Sequence, residues 1–240
     1  MRLTDVAALA LTTLSMPVAL ASENATFSLT LNALKLGSSS SKSEPAAGES
    51  STQKIKYADI LGSSAEDNQP AFFELGLQYD KNVLYFYPLG SLGERELWLG
   101  REVLENLEAG VVFSGYSKSY DPSVAVVGNV SKLKSTNAMA FGLFANFAFE
   151  GLGQGWELSA VPYYTTESVN FEESSSNTRS EGSGLSGEIL MVREISPNLQ
   201  FGTGLSFDWE KTNQTSGGKE LSKTTDTDIG LHLGRVRFSF

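Results

Sequence analysis

The chain of 240 residues contains no cysteine. That absence excludes disulfide bridges, thiolate nucleophiles, cysteine-held metals and a lipidated N-terminal cysteine. It contains 1 histidine, so a mechanism that needs two imidazoles is excluded as well. Basic residues are scarce, 18 Lys and Arg against 28 Asp and Glu, for a net charge of -10. Recognition of nucleic acid needs a basic face, and this balance argues against it. No apolar run reaches the roughly 20 residues that a helix needs to cross a bilayer. What the chain does hold is glycine, 23 residues, and aromatics at 10%. That is the composition of a chain built from strands.

The first residues read as an export signal. Arg2 gives a positive start, Val6 to Leu14 is an apolar stretch of leader length, and Ala19-Leu20-Ala21 places small residues where a signal peptidase reads them. Cleavage after Ala21 leaves a single domain, residues 22–240, exported from the cytoplasm.

The rest of the chain alternates with period two, the mark of strands with one apolar face. Leu199, Phe201, Thr203, Leu205, Phe207 and Trp209 share a face against Gln200, Gly202, Gly204, Ser206 and Asp208. Met139, Phe141, Leu143, Ala145, Phe147 and Phe149 form a second such row, and Trp156, Leu158, Ala160, Pro162 and Tyr164 a third. Shorter rows run through Phe27–Ala33, Phe73–Tyr79 and Leu107–Phe113. Segments of this length match transmembrane β-strands of roughly 9–11 residues. Connections alternate too. Val103–Asn106, Glu150–Gly155 and Ile195–Asn198 are short, whereas Gly37–Thr52, Ser117–Asn137, Thr166–Gly184 and Lys211–Asp226 are long and polar. Short turns at one end and long loops at the other are the asymmetry of outer-membrane barrels, and loops this polar are expected to be solvated and mobile. The expected fold is therefore all-β: a transmembrane antiparallel up-and-down barrel of 8 strands, with 10 as the alternative, since such barrels have an even strand number.

The last segment, Asp228 to Phe240, ends on an aromatic residue with Val236, Phe238 and Phe240 at alternate positions. It resembles the C-terminal signature of Gram-negative outer-membrane β-barrel proteins, and in size the chain is similar to small barrels of the OmpA and OmpX type. The resemblance implies an outer-membrane location, contact with outer-membrane lipid and lipopolysaccharide, and a final strand read by the barrel-assembly machinery. One irregularity stands out: Ile229, Leu231 and Leu233 have the opposite parity to Phe238 and Phe240, which implies either a bulge near Gly234 or a last strand that begins later than Asp228.

Two groups of residues follow from the barrel reading. Trp98, Trp156, Tyr163, Tyr164 and Trp209 fall near strand ends, where aromatic girdles meet the membrane interfaces. Glu102, Glu108, Glu157, Glu188, Asp208, Arg235 and Arg237 are expected to face the lumen. A lumen of about 8 strands is narrow enough to be filled by side chains, so these charges must pair. The two arginines are the natural partners of Asp208 and of glutamates across the lumen. His232 lies on the last strand, and a lumen or interface position explains it better than hydrolysis does. No metal cluster, phosphate-cradling loop or nucleophile elbow stands in the sequence, and no cofactor is implied. The functional expectation is a non-enzymatic barrel with a structural or surface-interaction role through extracellular loops and an unknown extracellular ligand. The alternatives are a narrow channel for small solutes, and a periplasmic barrel or sandwich binding an apolar ligand.

Overall fold

A computed structural model describes residues 25–32, 34–60, 73–90, 93–119, 133–151, 154–171 and 177–240. The expected leader, Met1–Ala21, lies outside them. The described residues form twelve strands and no helix: β1 (Ala25–Asn32), β2 (Leu34–Pro45), β3 (Ser51–Ile60), β4 (Phe73–Tyr79), β5 (Asn82–Gly90), β6 (Gly93–Leu104), β7 (Leu107–Ser119), β8 (Leu133–Gly151), β9 (Gln154–Phe171), β10 (Thr178–Ser196), β11 (Leu199–Ser216) and β12 (Lys219–Ser239).

Every pairing is antiparallel, and the sheet closes on itself because β1 pairs with both β4 and β12. Phe27 and Phe240 exchange backbone hydrogen bonds of 3.2 and 2.8 Å at this seam. The ring holds ten strands, β1 and β4 through β12, with β2 and β3 outside it. This corrects the count of eight. The two outer strands extend the wall. Asn32 faces Arg235 and Lys35 faces His232, so β2 continues β1 along β12 with two residues between these pairs on each side. β3 pairs with β2 as β4 pairs with β1.

Side-chain facing follows the alternation. Outside lie Phe141, Leu143, Phe147, Leu158, Ile189, Leu205, Phe207 and Leu231, all well exposed. Inside lie Val112, Phe144, Val161, Leu190 and the polar Thr30, Glu74 and His232, all buried. On β11 the outward apolar row runs unbroken in facing from Leu199 to Trp209. At the usual strand rise and tilt it spans about 25 Å, the height of a membrane-barrel apolar band. The expected bulge is present: Gly202 pairs with Arg235 and Gly204 with His232, so β12 carries one residue more than β11. Through it Gly230 and His232 above, and Arg235 and Arg237 below, all look inward.

The expected long loops need correction. Gly37–Pro45, Thr166–Phe171, Thr178–Gly184 and nearly all of Lys211–Asp226 are strand. Strands β8 to β12 run 18 to 21 residues, far beyond the length that crosses a bilayer, so the wall rises past the apolar belt as a polar sheet. Residues 120–132 and 172–176 lie outside the described ones. The Lys211–Asp226 stretch folds back at Gly217-Gly218, where φ is 56° and 79°. Two successive positive φ values make the type I′ turn that joins strands tightly. Short turns with positive φ at Asp80 and Asn106 stand at the opposite end, with both ends of the described chain.

Replacing Gly218 by valine forces a β-branched residue into the left-handed region and should cost about 1–2 kcal/mol. Urea midpoints read by tryptophan fluorescence in lipid vesicles will measure it. The neighbouring Ser216→Val change should stay within about 0.5 kcal/mol.

Candidate functional site: the barrel lumen

The lumen divides into a charged half and an aromatic half. In the charged half, Arg235 reaches Glu74 with Nη2 at 3.0 Å and Glu188 with Nη1 at 2.5 Å. Arg237 grips Glu157 with both terminal nitrogens, at 2.5 and 3.0 Å. Its Nε donates to Thr30 Oγ1 at 3.4 Å, and that hydroxyl donates to Glu74 at 3.3 Å. The result is one chain, Glu188–Arg235–Glu74–Thr30–Arg237–Glu157, running across β10, β12, β4, β1 and β9. His232 Nε2 lies 3.6 Å from Glu188 Oε1.

Local sequence explains the convergence. The β12 bulge puts two arginines on the inward face directly below His232, and the β4 alternation Glu74-Leu75-Gly76-Leu77 turns Glu74 inward with its leucines on the opposite face. Glu74 has only 3% of its side chain exposed. A carboxylate so enclosed is tolerable only with a charged partner, because unpaired buried charge is costly.

The aromatic half packs Tyr87, Trp98 and Phe144, with Trp98 5.0 Å from each of the other two ring centroids. Tyr85 meets Phe144 edge-on at 6.5 Å. Gly100 and Gly110 floor this cluster, and a Cβ at Gly110 would lie 2.6 Å from the Phe144 ring. Trp98 donates its indole N–H to Glu96 at 3.0 Å, and Tyr85 its hydroxyl to Glu108 at 2.7 Å. Asn146 also donates to Glu108. Above both halves stands a third, more polar layer. There Tyr163 donates to Asp208 at 3.2 Å, Thr165 to Glu210 at 2.5 Å, and Lys35 pairs with Asp228 at 3.4 Å.

Of the residues named from sequence, Glu157, Glu188, Arg235 and Arg237 meet in one network. Glu108 belongs to the tyrosine side. Glu102 opposes Glu108 across the β6–β7 ladder and has no ion-pair partner among the described residues. Asp208 is held by Tyr163 rather than by either arginine, which corrects the expected pairing.

Two interface aromatics also need correction. Trp98 and Tyr163 are buried, at 6% and 7% exposure, and face the lumen. Tyr164 and Trp209 are exposed outside, and Trp156 stacks on outward Phe149 while donating to the Gly151 carbonyl at 2.9 Å. Sequence reasoning missed Glu74 and Tyr87 as lumen residues. Their signal was parity with Gly76 and with Val83 on strands that carry an outward leucine row.

Ion pairs, tyrosine–carboxylate bonds and stacked rings occupy the bore. A small cavity remains beside Arg235 and Arg237, lined also by Glu157, Val192, Gln200 and Gly202. Ser206 Oγ and both His232 ring nitrogens are buried without a hydrogen bond, so among the described residues no hydroxyl is bonded to the imidazole. Among the described residues no group of three His, Asp or Glu is placed to hold a metal ion.

No protein-family model and no curated protein sequence matches the chain. Solved structures do align with it over most of its length. They include the Neisserial surface protein A NspA (14% identity, 89% of this chain, 97% of that one, TM-score 0.32). The outer-membrane protease OmpT of Escherichia coli aligns at 8% identity over 91% of this chain and 97% of its own, TM-score 0.41. Ail, the attachment invasion locus protein of Yersinia pestis, aligns at 9% identity over 90% and 99%, TM-score 0.30.

Arg235→Leu leaves Glu74 and Glu188 enclosed without their counter-charge and should destabilise the barrel by about 3–5 kcal/mol. Glu102→Gln should change stability by less than about 0.5 kcal/mol. Urea unfolding in vesicles compares the two directly.

Proposed function

We propose that the protein is an integral outer-membrane β-barrel, exported by its N-terminal leader, whose bore is plugged and whose work is done at its polar rim and outer surface rather than by catalysis. One observation carries this reading: a closed ring with apolar side chains outside and paired charges inside. A water-soluble barrel has the reverse order, because apolar side chains gain by leaving water. In hydrocarbon the ring also satisfies every backbone group that an open sheet would leave bare at its edges. The location fits a surface role, since the wall extends beyond the belt at the end opposite Ala25 and Phe240. The terminal strand with Val236, Phe238 and Phe240 would serve as the assembly signal, and Phe240 also ties the seam to Phe27.

Unboiled protein in SDS should migrate faster than boiled protein and resist carbonate extraction from membranes. Identical migration in the two states would count against the membrane barrel. Deleting Phe240 should lower the heat-modifiable fraction in cells. In planar bilayers the wild type should show no discrete conductance steps, whereas Tyr87→Ala/Trp98→Ala/Phe144→Ala, which hollows the aromatic half, should open them. Stable steps from the wild type would replace the plugged reading with that of a narrow solute channel.

A further inference from the structure

The chain is acidic, yet the outer face of its upper wall is basic in one sector. On β11, Lys211 holds the first outward position above Trp209. On β3, Lys56 pairs with Ser38, the first outward position above exposed Leu36 on β2, and Lys54 pairs with Ser40. Lys42 of β2 pairs with Thr225 and so stands level with Lys211, and Lys223 of β12 stands one outward position higher. Between Lys211 of β11 and Lys54 and Lys56 of β3 the outward residues are the hydroxyls Thr227 and Thr225 on β12 and Ser38 and Ser40 on β2, with Lys42 beside Thr225. Three strand spacings separate the columns, about 14 Å. The sector is thus a shallow trough, floored by hydroxyls and flanked by lysines, directly above exposed Trp209, Ile229 and Leu36.

The charges in this trough are partly committed. Lys42 bonds Glu44 at 2.5 Å and Lys223 bonds Glu220 at 3.1 Å. The hydrogen bond from Lys42, and then its charge, hold the Glu44 carboxyl below its usual range, and Lys211 and Lys223 add to this. Lys54, Lys56 and Lys211 have no ion-pair partner among the described residues, so three cations remain for an external anion.

We propose that this trough binds the phosphorylated head group of a glycolipid in the outer leaflet, with phosphates on Lys56, Lys54 and Lys211 and sugar hydroxyls over the Ser/Thr floor. The argument is position together with charge. The trough is continuous with the acyl-facing belt, so a lipid seated on Trp209 and Ile229 carries its head group to the height of the lysines. Cations at that height are drawn to anionic lipid, an attraction that fades within a Debye length. The inference rests on the membrane reading proposed above.

The test is native mass spectrometry of the full chain, released from a neutral detergent after titration with diphosphoryl lipid A, monophosphoryl lipid A or the uncharged digalactosyl diacylglycerol. The wild type should retain the lipids in that order. Lys56→Gln/Lys211→Gln should lower retention of the diphosphoryl form about twenty-fold, and adding Lys42→Gln, Lys54→Gln and Lys223→Gln should abolish it. Lys81→Gln, at the opposite end of the barrel, should leave it unchanged. Equal retention by the five-lysine variant, or equal retention of the uncharged glycolipid, overturns the proposal. The gel shift on boiling separates the two failures. A wild type with the shift but no preference among lipids defeats only the lipid site, and a wild type lacking the shift defeats the membrane reading with it.

Discussion

A sheet that enters hydrocarbon has no water to bond its edges, so every N–H and C=O must be paired within the wall. On the membrane reading proposed above, that demand falls on the seam, where β1 meets β12 and Phe27 exchanges hydrogen bonds with Phe240. Once the ring is closed, facing ceases to be free. Alternate residues must look at acyl chains or into a bore a few side chains wide, and a one-residue slip would exchange the two sets on any strand. The β12 bulge shows the constraint at work. Without its extra residue, either Ile229 and Leu231 would point inward, or Phe238 and Phe240 would and the arginines of the lower half would turn outward.

The bore then poses its own problem, because a ring that turns its apolar residues outward fills its centre with what is left. Here the solution is divided. On the β10, β12, β1 and β4 side, two guanidiniums satisfy Glu74, Glu157 and Glu188, with Arg237 gripping Glu157 in the planar two-bond geometry that lysine does not offer. On the β5 to β8 side, aromatic rings cover Gly100 and Gly110, and their polar tips end on Glu96 and Glu108. Apolar bodies with polar ends suit a bore that is dry at its wall and charged at its centre. Removing a single carboxylate partner therefore does more harm than replacing a whole pair by apolar groups.

How far the sequence was legible follows from what kind of signal each feature leaves. Rows such as Met139–Phe149 and Leu199–Trp209 alternate greasy with small or polar residues, and their strands and facing could be read directly. The wall above the belt could not be read, because both faces there meet water. Thr-Asn-Gln-Thr-Ser and Lys-Thr-Thr-Asp-Thr alternate polar with polar, which looks like a loop until the Gly217-Gly218 turn is recognised as a hairpin tip. The strand total was obscured between Ile55 and Leu99, where β3 and β4 lie along one continuous neighbour, β1 with β2. The two misassigned aromatics are different, for parity already contained the answer. Trp98 and Glu102 are four residues apart on one strand, so they share a face, and Tyr163 shares one with Glu157. Adjacent Tyr163 and Tyr164 cannot both face lipid. Nearness to a strand end was the weaker guide, and parity with an obligatory inward charge the stronger one. Glu74 lay on a strand of seven residues, too short for its inward row to attract notice.

Net charge describes neither surface of the upper wall. On β11 and β12 carboxylates and lysines alternate in facing: Asp208, Glu210 and Asp228 turn inward to Tyr163, Thr165 and Lys35, while Lys211 and Lys223 turn out. A sheet one strand thick thus separates an acidic vestibule from a basic flank, and the pleat alone enforces the separation. The separation also answers why the chain holds strand pairing where no lipid requires it. Above the belt, a frayed segment would lose nothing to unsatisfied backbone, since water would bond it. It would, however, let the inward carboxylates and the outward lysines mix. Kept paired, the wall holds Asp208, Glu210 and Asp228 inside and Lys211 and Lys223 outside, which on the proposed reading keeps those lysines at the height of the outer-leaflet phosphates.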